Sequence, residues 1–315
     1  MNNVCEVIDS KVPVIQGGMA HTSDAPLAIA VSKGGGLGVI GAGAMTPEEL
    51  RSEIRRARSE VDNFGVNLIA NSKATRFPER LQVVVEEKPP VVTLGGISLD
   101  GVDAITTLKE AGVKAVLPVV SMVAMAKKCA RAGADAIIAE GSEAGGHIGE
   151  TTTMVLVPLV ADAVDIPIIA AGGIVDGRGV VAAFALGAKG VQIGTRFICA
   201  DECTVQQAVK DKLVKVGDRA TVVTGQKIGL PVRSIKNSLT NEYNNLVDGA
   251  TVEELQELEA DKLYLAMQEG DVKNGSLMAG QGVALVHRTQ PAAEIISEIW
   301  GEAMELAPSL TSIMI

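Results

Sequence analysis

Apolar residues in the first two-thirds of the chain gather into short runs, each ending in glycine or a small polar residue. Eight such runs stand at 12–17, 37–41, 64–69, 91–95, 115–119, 136–140, 166–171 and 190–194. Their successive starts are 25, 27, 27, 24, 21, 30 and 24 residues apart, about what one strand-plus-helix unit requires. The stretches between them are charged and carry helical spacing. Thr46-Pro47-Glu48-Glu49 reads as an N-cap, a first-turn proline and first-turn acids. Residues 24–33 read as a helix closed by Gly34, and 151–164 as a helix that Pro158 is expected to kink. "KKCARAGAD" and "AFALGAKG" are helix ends stopped by glycine and followed at once by the next apolar run.

Eight repeated units predict an α/β fold, a (β/α)8 barrel of short helices. Such barrels usually take roughly 200 to 250 residues. The rhythm changes after Phe197. Residues 201–216 read as helix, 220–224 as β-like, 251–268 as a charged helix and 291–306 as a final helix. The expected organisation is therefore a barrel over 1–200, a mostly helical excursion over 201–270, and a return to the barrel with a C-terminal helix over 271–315.

The 315 residues are 47 % hydrophobic and 21 % charged, which excludes a disordered chain. Only 2 % are aromatic while 34 are glycine, a balance that suits buried parallel strands with tight loops. Lysine and arginine total 28 against 38 acids, a net charge of −10. That argues against a nucleic-acid partner, which calls for basic stripes. Four cysteines (Cys5, Cys129, Cys199, Cys203) form no disulfide framework, and the Cys199/Cys203 spacing has no second ligand pair, so no metal is expected. With Glu6 and Asp9 near the start and no long apolar run, neither a signal peptide nor a membrane span is expected, and the expected location is cytoplasmic.

Chemistry in such barrels sits at the C-terminal ends of the strands. The first run leads into Gln16-Gly17-Gly18-Met19-Ala20, and the third contains Asn67. The sixth ends in Glu140 and continues Gly141-Ser142-Glu143-Ala144-Gly145-Gly146-His147. Gly172-Gly173 closes the seventh, and Gln192-Ile193-Gly194-Thr195 the eighth. Two glycine turns after strands seven and eight let backbone N–H groups face an anion, so a phosphate site is read there; the plainer alternative is a pair of short turns. His147, one of three histidines with His21 and His287, is either an acid–base group or a structural hydrogen-bonder. Gly36-x-Gly38-x-x-Gly41 matches a dinucleotide fingerprint only as a string, because it enters a strand instead of opening a helix. Arg51, Arg55, Arg56 and Arg58 form a solvated helix face or a dock for an acidic partner, and Lys127, Lys128 and Arg131 offer a second such face.

In their order along the chain, "PVIQGGMA", "GGGLGVIGAG", "FGVNL", "AEGSEAGGHIG", "IPIIAAGGIVDGRG", "GVQIGTRF" and "GSLMAGQG" resemble the FMN-dependent nitronate monooxygenase and enoyl-acyl-carrier-protein reductase II superfamily. "VRSIKNSLT" at 232–240, and a glutamate at 140 where the monooxygenases commonly carry glutamine, are more similar to the reductases. The resemblance implies that backbone around Gly18, Met19 and Ala20 lines a flavin ring and that Asn67 hydrogen-bonds it. It implies that Glu140 and Gly145 position the ring, and that Gly173 with Gln192, Ile193, Gly194 and Thr195 holds the FMN phosphate, beside Gly172 of the same turn. His147 matches the active-site histidine. The implied reaction is reduction of a trans-2-enoyl group on acyl carrier protein by NADH or NADPH, in fatty acid biosynthesis. The carrier is acidic, so a locally basic dock is expected, and a homodimer is possible. The alternatives are oxidation of alkyl nitronates by O₂ on FMN, and a flavin-free phosphate-binding lyase or isomerase. At the fifth strand Pro118-Val119-Val120-Ser121-Met122 departs from the family's P-V-V-P-S, so that loop's contacts are not carried over.

Overall fold

The computed structural model describes residues 3–71 and 76–313. Its strands are β1 (Val14–Gln16), β2 (Val39–Gly41), β3 (Gly65–Ile69), β4 (Val91–Gly95), β5 (Ala115–Val120), β6 (Ile137–Glu140), β7 (Gly146–His147), β8 (Ile168–Ala171), β9 (Gly190–Ile193), β10 (Thr221–Thr224) and β11 (Val232–Ile235). Eight of them form one parallel sheet in the order β1-β9-β8-β6-β5-β4-β3-β2. A parallel bridge between Ile15 and Leu37 closes it. Gln16 completes the seam: its Oε1 accepts from Val39 N–H at 3.1 Å and its Nε2 donates to the Val39 carbonyl at 3.2 Å. The result is the expected (β/α)8 barrel.

Strand alternation divides the apolar residues into two layers. Ile15, Val39, Val91, Leu117, Ile138 and Ile169 fill the barrel interior. Val4 and Ile8, from a helix at Asn3–Ile8 that no sequence signal had suggested, join that cluster. The alternate residues, such as Val66, Leu94, Val116, Ile168 and Val191, pack outward against the helices.

Helices Ala25–Lys33, Pro47–Arg58, Phe77–Glu87, Asp103–Glu110, Val123–Arg131, Thr153–Ala161 and Gly177–Ala185 follow the first seven barrel strands. The Thr46 capping box begins the second of them as read. The sixth runs through Pro158 without a break. The eighth strand is followed only by a single turn, Thr195–Ile198. The C-terminal helix Ala292–Ile313 packs against Ala25–Lys33 and Gly177–Ala185, so it serves as the eighth barrel helix. The intervening residues are thus an insertion inside the last βα unit.

That insertion departs from the sequence reading. Helix is confined to Gln207–Leu213 within 201–216. The stretch 251–268 breaks into Val252–Glu259 and Lys262–Met267 at Asp261, whose φ is +56°. A helix at Ser238–Leu246 and the strand β11 were not anticipated. β11 escaped notice because Arg233 and Ser234 are polar yet buried, which erases the alternation that marks a strand. β10, β11 and β7 make a three-stranded antiparallel sheet. The insertion is therefore stitched by hydrogen bonds to the loop that carries His147.

Candidate active site

A cavity of about 690 Å³ opens at the C-terminal ends of the barrel strands. Of the residues singled out in the sequence, Gly18, Met19, Ala20, Asn67, Glu140, Gly145, His147, Gly172, Gly173, Gln192, Gly194 and Thr195 all line it. Ile193 does not. Inward and outward positions alternate along β9, so Gln192 faces the cavity while Ile193 is buried in the outer core. Sequence reasoning missed the loop of Met278, Gly280 and Gly282, and the roof that the insertion supplies through Leu230, Leu263, Tyr264 and Met267.

On the floor, Thr93 Oγ1 donates to Asn67 Oδ1 at 2.8 Å. That bond turns the Asn67 amide so that its NH₂ is left for a ligand. Gly18 lies so close to this residue that a Cβ on it would sit 2.3 Å from Asn67 Cβ. The next loop is locked by its own serine: Met19 N–H donates to Ser23 Oγ at 2.7 Å. Across the barrel, Gln192 Oε1 is buried and has no hydrogen-bond partner among the described residues. An orphaned amide oxygen in a cavity wall calls for a ligand donor.

Gly172 and Gly173 form the turn after β8 with φ of +95° and +74°. This left-handed backbone suits glycine and curls peptide N–H groups into a concave anion-binding surface. A Cβ on Gly173 would lie 3.2 Å from Glu143 Cβ, so a side chain there meets Glu143. Glu143 itself is structural: its carboxylate accepts from Thr153 N–H at 2.8 Å and Thr153 Oγ1 at 3.0 Å at the start of helix Thr153–Ala161. Thr195 Oγ1 accepts from Gly280 N–H at 2.9 Å, tying the eighth-strand turn to the 278–282 loop.

Glu140 and His147 face the cavity with no side-chain hydrogen bond among the described residues. Burial pushes the Glu140 carboxyl up to about 7. The His147 ring is reachable from the cavity but has protein packed around it, and that desolvation lowers its pKa. Near neutral pH its ground state is a neutral imidazole, an N–H donor. A second cavity histidine, His21, stands edge-on to Tyr264 with ring centroids 5.4 Å apart. Burial lowers its pKa against the pull of Asp261 and Glu49.

Other sequence candidates fall elsewhere. In the dinucleotide-like string, a Cβ on Gly38 would collide with the Ala28 backbone, so the residue serves strand–helix packing. Arg51, Arg55 and Arg58 converge on Glu87, whose side chain is 8 % exposed, and Arg51 also pairs with Glu86. Three of the four arginines are thus committed within the chain. Lys127, Lys128 and Arg131 are exposed on the later part of their helix, which the barrel's direction places away from the cavity mouth. The four cysteines are free and buried, with the Cys199 and Cys203 thiols pushed up by burial to about 12 and about 11. No metal-holding group of side chains occurs among the described residues, and no helix there is long and apolar enough to cross a membrane.

The barrel has a left-handed glycine turn after its seventh strand, an orphaned amide and a roofed cavity, at the end where such folds frequently bind a phosphate. The chain belongs to the nitronate monooxygenase family, whose model matches residues 2–76 and 69–302. It is 39 % identical over 241 residues, 76 % of this chain and 67 % of the relative, to a (3aS,4S,5R,7aS)-5-hydroxy-7a-methyl-1-oxo-octahydro-1H-indene-4-carboxyl-CoA dehydrogenase of Rhodococcus jostii (strain RHA1). It is 32 % identical over 345 residues, 95 % of this chain and 96 % of the relative, to a probable nitronate monooxygenase of Staphylococcus aureus (strain MSSA476). Among solved structures, FabK of Thermotoga maritima, an enoyl-acyl-carrier-protein reductase II, superposes with a TM-score of 0.95 at 43 % identity, covering 99 % of each chain. The nitroalkane oxidase of Streptomyces ansochromogenes superposes at 0.84 with 28 % identity, covering 98 % of this chain and 99 % of the other. The protein is an oxidoreductase of a flavoprotein family, and the family and FabK depend on FMN. The residues present fit that cofactor. The Gly172–Gly173 turn suits its phosphate, and the Asn67 and Gln192 amides offer a donor and an acceptor to a polar ring edge.

Proposed function

We propose that this protein is an FMN-dependent enoyl-thioester reductase. It takes NADH or NADPH as reductant and reduces a trans-2-enoyl chain on acyl carrier protein, a step of fatty acid elongation. The observation that carries this reading is the roof of the cavity. Leu230, Leu263, Tyr264, Met267 and Met278 give a largely apolar passage above a polar floor, which suits an acyl chain better than a small nitronate. The identity to FabK and to a dehydrogenase named for a carboxyl-CoA substrate supports a thioester.

Bound FMN would supply hydride transfer from the nicotinamide to the β-carbon of the enoyl group. The chain's own residues bind and orient. The Gly172–Gly173 turn and the Gly194–Thr195 turn would hold the phosphate, with Asn67, Gln192 and the Gly18–Ala20 backbone along the ring. His147 donates its ring N–H to the thioester carbonyl, where negative charge develops as the β-carbon is reduced. The α-carbon gains one proton, so NAD(P)H, one proton and the enoyl thioester give NAD(P)⁺ and the saturated thioester. Glu140 titrates near neutrality beside this site and can hold or release a proton.

The test is spectroscopic. The purified protein shows flavin absorbance, loses it anaerobically on adding NADH or NADPH, and regains it on adding crotonyl-CoA. His147→Ala keeps the flavin but loses roughly 10²–10⁴ in turnover, the range for removing a positioned acid–base or donor group. Nitronate-dependent O₂ uptake without any nicotinamide requirement favours the monooxygenase reading, which the full-length S. aureus relative supports. A colourless protein that binds no FMN overturns both.

A further inference from the structure

The His147 side chain makes no hydrogen bond to any described residue, so its aim into the cavity depends wholly on the backbone that carries it. That backbone is β7, two residues long, with Gly146 at φ +80°. A two-residue strand does not hold itself. Its neighbour is β11, from the insertion, with His147 opposite Val232 and Gly146 opposite Arg233. Ile148 N–H donates to the Pro231 carbonyl at 3.0 Å, extending the pairing by one bond. The Arg233 side chain then reaches past β7 to the start of the same loop. Its Nε and Nη2 both donate to the Ser142 carbonyl, at 3.1 and 2.9 Å. Its Nη1 donates to Thr221 Oγ1 of β10 at 3.2 Å. The guanidinium is buried and does not line the cavity. A buried cation that gives two of its three nitrogens to one backbone carbonyl and the third to a threonine hydroxyl, with no carboxylate bonded to it, is costly to place unless that carbonyl must be fixed.

We propose that Arg233 is the positioning residue for His147. Carried by the insertion, it clamps the Ser142 end of the loop while β11 holds the other end, and together they aim the imidazole. The inference rests on the functional reading above only for what His147 does; the clamp itself is a statement about this chain. It also gives "VRSIKNSLT" a physical task. Arg233 fixes the loop, and Asn237 braces the insertion internally by donating to the carbonyls of Val272 at 3.2 Å and Gly275 at 2.7 Å.

The experiment compares Arg233→Met, Arg233→Lys and Thr221→Val with the wild type, all isolated with FMN. Three quantities are read: hydrogen–deuterium exchange across 141–149, FMN content, and turnover of crotonyl-CoA with NADH. Arg233→Met is expected to speed exchange in 141–149 while leaving the barrel strands unchanged. FMN content is kept, and kcat falls about 10- to 100-fold with little change in KM, the scale for misplacing a reacting group by about 1 Å. Arg233→Lys recovers most of the loss, because one ammonium can still serve one carbonyl. Thr221→Val frees one arm of the guanidinium and shows a smaller change in the same direction; it carries the test if Arg233→Met does not fold. Unchanged exchange and turnover in Arg233→Met overturn the proposal. So does a uniform rise in exchange with loss of FMN, which marks a general structural role. A wild type inert toward crotonyl-CoA defeats the functional reading instead, and the exchange measurement still decides the clamp.

Discussion

Glu140 shows how one strand position converts packing into chemistry. Along β6, Ile138 faces the interior and Ile137 and Ala139 the helices. Glu140 is therefore the next inward residue, at the open end of the barrel. No side chain among the described residues neutralises it, and burial lifts its carboxyl to about 7. A folded pKa above the unfolded value means that the folded state holds the extra proton. The stability this contributes is complete below about pH 4.5, the unfolded value, and is lost as pH rises through about 7. In the FMN-free protein the melting temperature of Glu140→Gln, relative to wild type, should therefore rise between pH 5 and pH 8. Melting curves at both pH values check this, and parallel pH profiles would remove the buried-carboxylate account. Inward alternation also explains Asn67, Thr93 and Gln192. Gln192 and Ile193 are adjacent in one motif, yet the same alternation sends Gln192 into the cavity and Ile193 into the outer core.

At the scale of elements, the turns after the strands decide whether a cofactor stays. Gly173→Val is expected to empty the FMN site, through the backbone and not by filling the phosphate's place. Its φ of +74° is strained for any β-branched residue, and its Cβ points at Glu143, which caps helix Thr153–Ala161. Gly112→Val is the matched comparison. It has φ +90° with nothing within 4 Å of its Cβ, in a turn that leads into β5 at the opposite end of the barrel. Both variants lose stability of about 1–3 kcal/mol from strain, but only Gly173→Val should fall well below one FMN per chain by absorbance. Equal FMN content in the two would detach the turn from cofactor binding. The barrel's eight runs were legible because parallel strands buried on both sides are continuous apolar runs. The insertion was not. Its strand β11 carries buried polar residues whose partners, Ser142 and Thr221, are distant or unremarkable in sequence. Its charged stretch 251–268 looked like one helix because a single left-handed residue, Asp261, leaves no mark in the hydrophobic spacing.

At the scale of the molecule, the insertion makes barrel and site interdependent. The eighth strand and eighth helix lie about a hundred residues apart in sequence, so the ring closes only when the C-terminal helix returns. Its return is recorded in one carboxylate. Glu298 accepts from Arg196 at 3.1 Å, from Arg288 at 3.1 Å and from Gln290 at 2.7 Å. Arg196 directly follows Thr195 of the turn after the eighth strand and its side chain is only 7 % exposed. Glu298→Ala leaves that guanidinium with Gln290 Oε1 as its remaining side-chain acceptor among the described residues. Stranding a buried charge outright costs about 3–5 kcal/mol; with one acceptor kept and Glu298 itself about a third exposed, a loss of roughly 1–2 kcal/mol is expected. The consequence should reach the cofactor. Glu298→Ala should lower the melting temperature by a few degrees and also weaken FMN retention on dilution, because it loosens Arg196, the residue next to one of the two turns proposed to hold the phosphate. Arg288→Ala removes only the exposed partner, 64 % open to solvent, and should do neither beyond about 1 kcal/mol. Were Glu298→Ala to melt early yet hold FMN as tightly as the wild type, the C-terminal helix would close the barrel without shaping the site.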